Sequence, residues 1–99
     1  MDRKALNLIG LAYRARAVVT GEEVVLRSVR AGHASLVIIS EDASANTKKK
    51  FTDKCSHYKI PCFTAGTRQA LGQAVGKEER VVMGVEDSGF AEKLKSLLE

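Results

Sequence analysis

The chain has 99 residues, 44% of them hydrophobic, and a formal net charge of +4 at pH 7. This composition indicates one globular domain and excludes a disordered chain. No apolar run approaches the roughly 18 residues of a membrane span, and no signal-peptide pattern is present, so we expect a cytoplasmic protein. Residues 1–68 hold 12 Lys/Arg and 6 Asp/Glu, whereas residues 69–99 hold 4 and 6. This basic excess favours an anionic partner such as nucleic acid.

The first part of the chain alternates between helical and strand patterns. Asp2 is the predicted N-cap of a first helix, and residues 17–19 form a short predicted strand. The sequence Thr20-Gly21-Glu22-Glu23 predicts a capping box, in which Thr20 is the N-cap of a second helix. That helix ends at Gly32. The continuous apolar run over residues 34–40 then predicts a strand that is covered on both faces.

The same alternation continues from residue 41 onward. Ser44 or Asp42 is the predicted N-cap of a third helix, and residues 60–64 form a strand that Pro61 places at a sheet edge or a strand start. Thr67 caps a short fourth helix that Gly76 ends.

Within the fourth helix, Gly72 indicates close packing, approach of a ligand, or simple tolerance. Residues 80–86 form the last predicted strand, and Ser88 caps a final helix. Helices and strands in this order predict an α/β protein: a three-layer α/β/α sandwich with a four-stranded mixed sheet and about five helices, forming one domain over residues 1–99.

Motifs for catalysis and for cofactors are missing from the sequence. The glycines do not form a nucleotide-binding loop, and no serine stands in a GxSxG motif. Cys55, His57 and Cys62 have a spacing that fits no standard zinc module, and we expect both cysteines to fill the core. The sequence therefore predicts a protein that is not an enzyme and that has no cofactor and no metal.

The start of the second helix has the properties of an RNA-contacting site. A helix N-terminus offers free N–H groups and a positive dipole end, and Gly21 leaves room for a phosphate or a base edge. Glu22 and Glu23 can accept hydrogen bonds from exposed bases, as carboxylates do from cytosine. Arg27 can reach a phosphate. Further candidate phosphate contacts are Arg14, Arg16 and Lys48.

These features, in this order, resemble the seven-Ae/thirty-e ribosomal protein superfamily and within it the small bacterial YlxQ-like branch. The family motif at the second helix usually reads Gly-x-Asn-Glu-x-x-Lys or Gly-x-Lys-Gln-x-x-Lys, and here Gly21 and Arg27 match it. Glu23 and Val24 depart from it. The resemblance covers about residues 4–95 and extends to the loop before the last strand, where the family also contacts RNA. The matching residues of that loop are Lys77, Glu78, Glu79, Arg80 and Val81.

The resemblance implies binding of kink-turn RNA, in ribosomal or regulatory RNA, with stabilisation of the bent form. It also implies that the start of the second helix and the loop before the last strand form one surface. We expect a monomer, with the ribosome as a further candidate partner. The alternative is a translation-associated protein–protein adaptor with weak or non-specific RNA binding, which Glu23 and Val24 favour.

Overall fold

A computed structural model describes residues 1–99 and contains five helices and four strands in the predicted alternation. In chain order these are α1 (Arg3–Arg14), β1 (Val18–Thr20), α2 (Glu22–Arg30), β2 (Leu36–Ile39), α3 (Ala45–Tyr58), β3 (Cys62–Thr64), α4 (Arg68–Ala74), β4 (Val82–Val85) and α5 (Ser88–Leu98).

The four strands form one mixed sheet in the order β1-β4-β2-β3. Strand β4 is antiparallel to both of its neighbours, whereas β2 and β3 are parallel. Strand β3 lies at the edge of the sheet and Pro61 directly precedes it, so both positions that the proline predicted as alternatives are found. All four strands are shorter than or displaced from the predicted runs, since the apolar patterns continue into the adjoining turns.

Successive side chains of β2 point to opposite faces of the sheet, and the core accordingly has two layers. Leu36 and Ile38 face one side of the sheet, where they pack with buried residues of α1, α4 and α5. Val37 and Ile39 face the other side, where they pack with buried residues of α2 and α3. All four side chains are fully buried. The strand is therefore covered on both faces, and the predicted three-layer α/β/α sandwich is confirmed.

Helix caps agree with the sequence at three helices and differ at two. Asp2, Ser44 and Thr67 cap α1, α3 and α4 through side-chain oxygens that accept from backbone N–H groups. The capping box at Thr20 was wrong: Thr20 ends β1, and the N-cap of α2 is Gly21, which has no side chain to accept a bond. The N-cap of α5 is Asp87 rather than Ser88. Asp87 is the cap because its carboxylate accepts a hydrogen bond from the Phe90 N–H at 2.9 Å.

The cysteines lie where the sequence placed them, one on a helix and one in a strand. Cys55 is 1% exposed within the core between α3 and the sheet. Cys62 is partly buried, and its side chain packs against the same cluster. Both are free thiols.

Candidate nucleic-acid interface

The start of α2 and the loop before β4 lie side by side. The Gly21 N–H donates to the Val82 carbonyl at 3.2 Å, and Arg80 Nε donates to Thr20 Oγ1 at 3.2 Å. Both segments line one open hollow of about 350 Å³, which we call the joint hollow; its residues are Thr20, Gly21, Glu22, Glu79, Arg80, Val81 and Val82. The adjacency of these two segments, expected from the sequence, is confirmed.

Backbone geometry leaves the start of α2 open toward solvent. Gly21 has φ of 96°, a conformation that side chains with a Cβ rarely adopt, so glycine is required there by the chain's own geometry. A Cβ at this position would meet nothing within 4 Å. The N–H groups of residues 22–24 have no acceptor within the chain. The helix therefore presents free donors and its positive dipole end to the joint hollow.

The carboxylate of Glu22 is partly engaged by α3. Thr47 Oγ1 donates to Glu22 Oε2 at 3.4 Å, and Lys50 Nζ lies 3.7 Å from Glu22 Oε1. This ion pair is half-exposed and contributes little to stability. Its effect is on charge: the ammonium offsets a carboxylate that would otherwise repel a phosphate at the helix start. No local pattern indicates this contact of Lys50, because Glu22 lies 28 positions away in the sequence.

The exposed face of α2 carries Val24 and Arg27, which lie three positions apart and therefore on the same side of the helix. Val24 is 40% exposed. Arg27 forms no ion pair with any carboxylate, so its guanidinium is free to meet an external anion. Both residues line a shallow hollow of about 400 Å³ that also includes His33 and Glu86.

The loop before β4 is held from behind by α4. The Lys77 N–H donates to the Gly72 carbonyl at 2.9 Å, and a Cβ on Gly72 would lie 1.8 Å from the Glu78 carbonyl oxygen. The sequence allowed three reasons for glycine at position 72, and the structure shows that the reason is close packing. The Arg80 N–H donates to the Arg68 carbonyl at 3.0 Å. These bonds give the loop a fixed backbone path.

Arg68 is a residue of this region that the sequence did not single out. Its N–H donates to Asp42 Oδ1 at 3.0 Å, and its guanidinium Nε lies 3.5 Å from the same oxygen. Nη1 lies 4.0 Å from Glu79 Oε2. Arg68 thus connects the turn after β2 with the loop before β4. No local pattern could have indicated it, because these contacts depend on the tertiary fold.

Six predicted contact residues besides Arg27 lie outside the joint hollow. Lys77 and Glu78 line an adjoining hollow with Glu79 and Arg80. Glu23 is exposed in the first turn of α2.

The other three predicted contact residues are Lys48, Arg14 and Arg16. Lys48 is on α3, next to the Thr47 that meets Glu22, and is half-buried. Arg14 lines a groove between α1 and α4. Arg16 has φ of 61° in the turn that precedes β1, whereas Gly21 follows that strand. Lys48 is therefore near the start of α2, and Arg16 lies at the opposite end of β1 from Gly21.

Two other properties bear on what the molecule can bind. No group of three or more His, Cys, Asp or Glu side chains is arranged to hold a metal ion. None of the five helices combines the length and the apolar character that crossing a bilayer requires.

Comparison with known proteins identifies the family. The model of the Ribosomal protein L7Ae/L30e/S12e/Gadd45 family matches residues 3–95. The chain is 54% identical to the "RNA-binding protein YlxQ" of Bacillus subtilis over 92 residues, which cover 93% of this chain and 92% of that protein. It is 47% identical to the protein of the same name from Enterococcus faecium, over 98% of this chain and 93% of that protein. A "Large ribosomal subunit protein eL8" from Thermoplasma acidophilum is 28% identical, with 95% and 78% covered.

Solved structures agree with this assignment. A protein of unknown function from Bacillus halodurans has a TM-score of 0.95 at 54% identity, with 98% of each chain covered. The "Giardia lamblia 15.5kD RNA binding protein" has a TM-score of 0.85 at 22% identity, with 99% and 90% covered, and shows the same fold. The chain belongs to the Ribosomal protein L7Ae/L30e/S12e/Gadd45 family and, within it, is YlxQ-like.

Proposed function

We propose that the protein binds structured RNA without catalysing a reaction on it. The observation that carries the proposal is the joint hollow, in which free N–H groups of α2 and the fixed loop before β4 face the same space. Membership of a family of ribosomal proteins supports it, as do two relatives that are named RNA-binding proteins. The net charge of +4 adds general attraction to a polyanion.

The residues of the interface divide into two chemical groups. Free N–H groups at the helix start and the guanidinium of Arg27 suit phosphate oxygens, which position an RNA without reading its sequence. The carboxylates of Glu22 and Glu23 suit amino and imino groups on exposed base edges. Such edges are accessible where a duplex is interrupted or bent, so this combination favours an irregular RNA over a plain helix.

The finer part of the proposal is that the target is a kink-turn in ribosomal or regulatory RNA. Contacts made only when both RNA segments meet at the joint hollow favour the bent form over the extended one. Binding then shifts the RNA population toward the bend by no more than the difference in affinity for the two forms. We further propose that the protein acts as a cytoplasmic monomer, either free or on the ribosome.

A gel-shift titration tests the target. One RNA carries a kink-turn, and its control is a duplex of equal length in which the non-standard pairs are replaced by Watson–Crick pairs. We expect affinity for the kink-turn to be higher by on the order of tenfold or more, equivalent to about 1.4 kcal/mol. Equal affinity for the two RNAs would contradict specific recognition and would favour the adaptor alternative, to which Glu23 and Val24 point.

A further inference from the structure

A second concave surface lies between α1 and α4, in the helical layer on the opposite face of the sheet from α2. It is an open groove of about 750 Å³, which we call the α1–α4 groove. It exists because the two helices approach closely: a Cβ on Gly10 would lie 2.9 Å from the Ala74 carbonyl oxygen. On the α4 side, the groove is lined by the small side chains of Ala70 and Ala74, which leave it open.

Apolar side chains form part of the groove surface. Leu11 is 51% exposed, the highest value among the exposed large hydrophobic residues of the chain. Leu6 is partly exposed in the same groove. A single exposed leucine on a flat surface needs no explanation. Here the leucines line a concave surface with the polar amides of Asn7 and Gln73 beside them, which is the usual character of a binding groove.

The charges of the groove are all of one sign. Arg3 and Arg14 line it, no carboxylate does, and neither arginine forms an ion pair elsewhere. Arg3, Asn7 and Arg14 follow one another by four and seven positions and therefore share a face of α1. The two arginines are eleven positions apart, so their Cα atoms are separated by about 16 Å along the helix axis.

We propose that the α1–α4 groove binds an amphipathic acidic helix of a protein partner. Leucines on such a helix would cover Leu6 and Leu11, and carboxylates about three turns apart would meet Arg3 and Arg14. RNA fits the groove less well, because a phosphate backbone offers no apolar surface to the leucines. This inference does not depend on RNA binding at the joint hollow.

The probe is a synthetic helix-forming peptide with glutamates eleven positions apart and leucines on the same face between them. A peptide of identical composition in scrambled order is the matched control. In an NMR titration of the isotope-labelled full chain, the first peptide is expected to shift the amide resonances of Asn7, Leu11 and Gln73. The scrambled peptide is expected to leave them unchanged. No shift with the first peptide at about 1 mM, or equal shifts with both, would overturn the proposal.

Two variants separate the groove from the proposed RNA site. Arg3→Glu and Leu11→Ala are both at exposed positions, and each is expected to weaken peptide binding about fivefold or more, while kink-turn affinity stays within about twofold. Lys93 is also exposed and lies on α5, so Lys93→Glu is the control for a general change of charge. It should leave peptide binding and kink-turn affinity unchanged. Peptide binding that survives both groove variants would overturn the proposal, as would groove resonances that respond to RNA and not to peptide.

Discussion

Arg80 Nε donates a hydrogen bond to Thr20 Oγ1 at 3.2 Å across 60 positions of sequence. The Arg80 Nη1 group also donates to the Glu79 carbonyl at 2.8 Å. The arginine therefore fixes the end of β1 to the loop before β4 and sets the shape of the joint hollow. Arg80 is both a cation at the proposed RNA site and a part of the structure that forms this site.

Thr20→Val tests the structural half of this role, because it removes the acceptor and keeps the β-branched shape. Loss of one partly buried hydrogen bond should cost about 0.5–1.5 kcal/mol of unfolding free energy. We expect kink-turn affinity to fall about threefold to tenfold in a gel shift, since the Arg80 side chain loses its bond to the end of β1. Thr64→Val, at an exposed position of β3, is the control. Equal affinities for the two variants would show that the bond does not shape the site.

Gly72→Ala is expected to destabilise the protein, although alanine favours a helix by about 1 kcal/mol over glycine. The new Cβ would lie 1.8 Å from the Glu78 carbonyl oxygen, so the loop must move away from α4. We expect a net loss of about 1–3 kcal/mol in urea unfolding. Gln73→Ala, at the next and exposed position, should change stability by less than about 0.5 kcal/mol. A stability gain at Gly72→Ala would mean that the loop is not held as described.

Arg27→Ala is expected to weaken RNA binding without unfolding the protein. The side chain is exposed and has no carboxylate partner, so its loss leaves the fold unchanged. If Arg27 neutralises one phosphate, the slope of log affinity against log salt should decrease by about 1. Arg30→Ala on the same helix, also exposed, serves as the control. Identical salt slopes for the wild type and for Arg27→Ala would place the phosphate contact elsewhere.

The two cysteines should differ strongly in reactivity. The interaction with the neighbouring Cys62 thiol, together with burial, raises the pKa of Cys55 well above its ordinary value. The same interaction lowers the pKa of Cys62 below its ordinary value, although burial acts in the opposite direction. Because the thiolate is the reactive form, iodoacetamide should alkylate Cys62 first and Cys55 only in denaturant, as judged by peptide mass spectrometry. Equal labelling of both in the native protein would contradict the packing around Cys55.

The arrangement of the fold could be predicted from the sequence because apolar periodicity and turn residues record it locally. The covered strand β2 and the edge strand after Pro61 are examples. Details that depend on distant partners were missed. Thr20 has the local pattern of an N-cap, yet its hydroxyl accepts from Arg80, and only the tertiary fold brings that guanidinium near. Both Asp87 and Ser88 can cap a helix, and the prediction of Ser88 was wrong because Asp87 is the N-cap.

The candidate site shows the same division. Gly21 and Arg27 could be selected from the motif, and the structure places them at the start and on the exposed face of α2. Arg68 and Lys50 could not, because each acts through a carboxylate that is remote in sequence. The three possible reasons for Gly72 could be reduced to one only when the position of the Glu78 carbonyl was known.

The most direct test of the central claim is an NMR titration of the isotope-labelled protein with a kink-turn RNA. If the joint hollow is the binding surface, the amide resonances of residues 21–24 and 79–82 should shift together, with the same apparent affinity. If the RNA binds and the resonances of only one of these two segments shift, or those of neither, the result would contradict a shared surface.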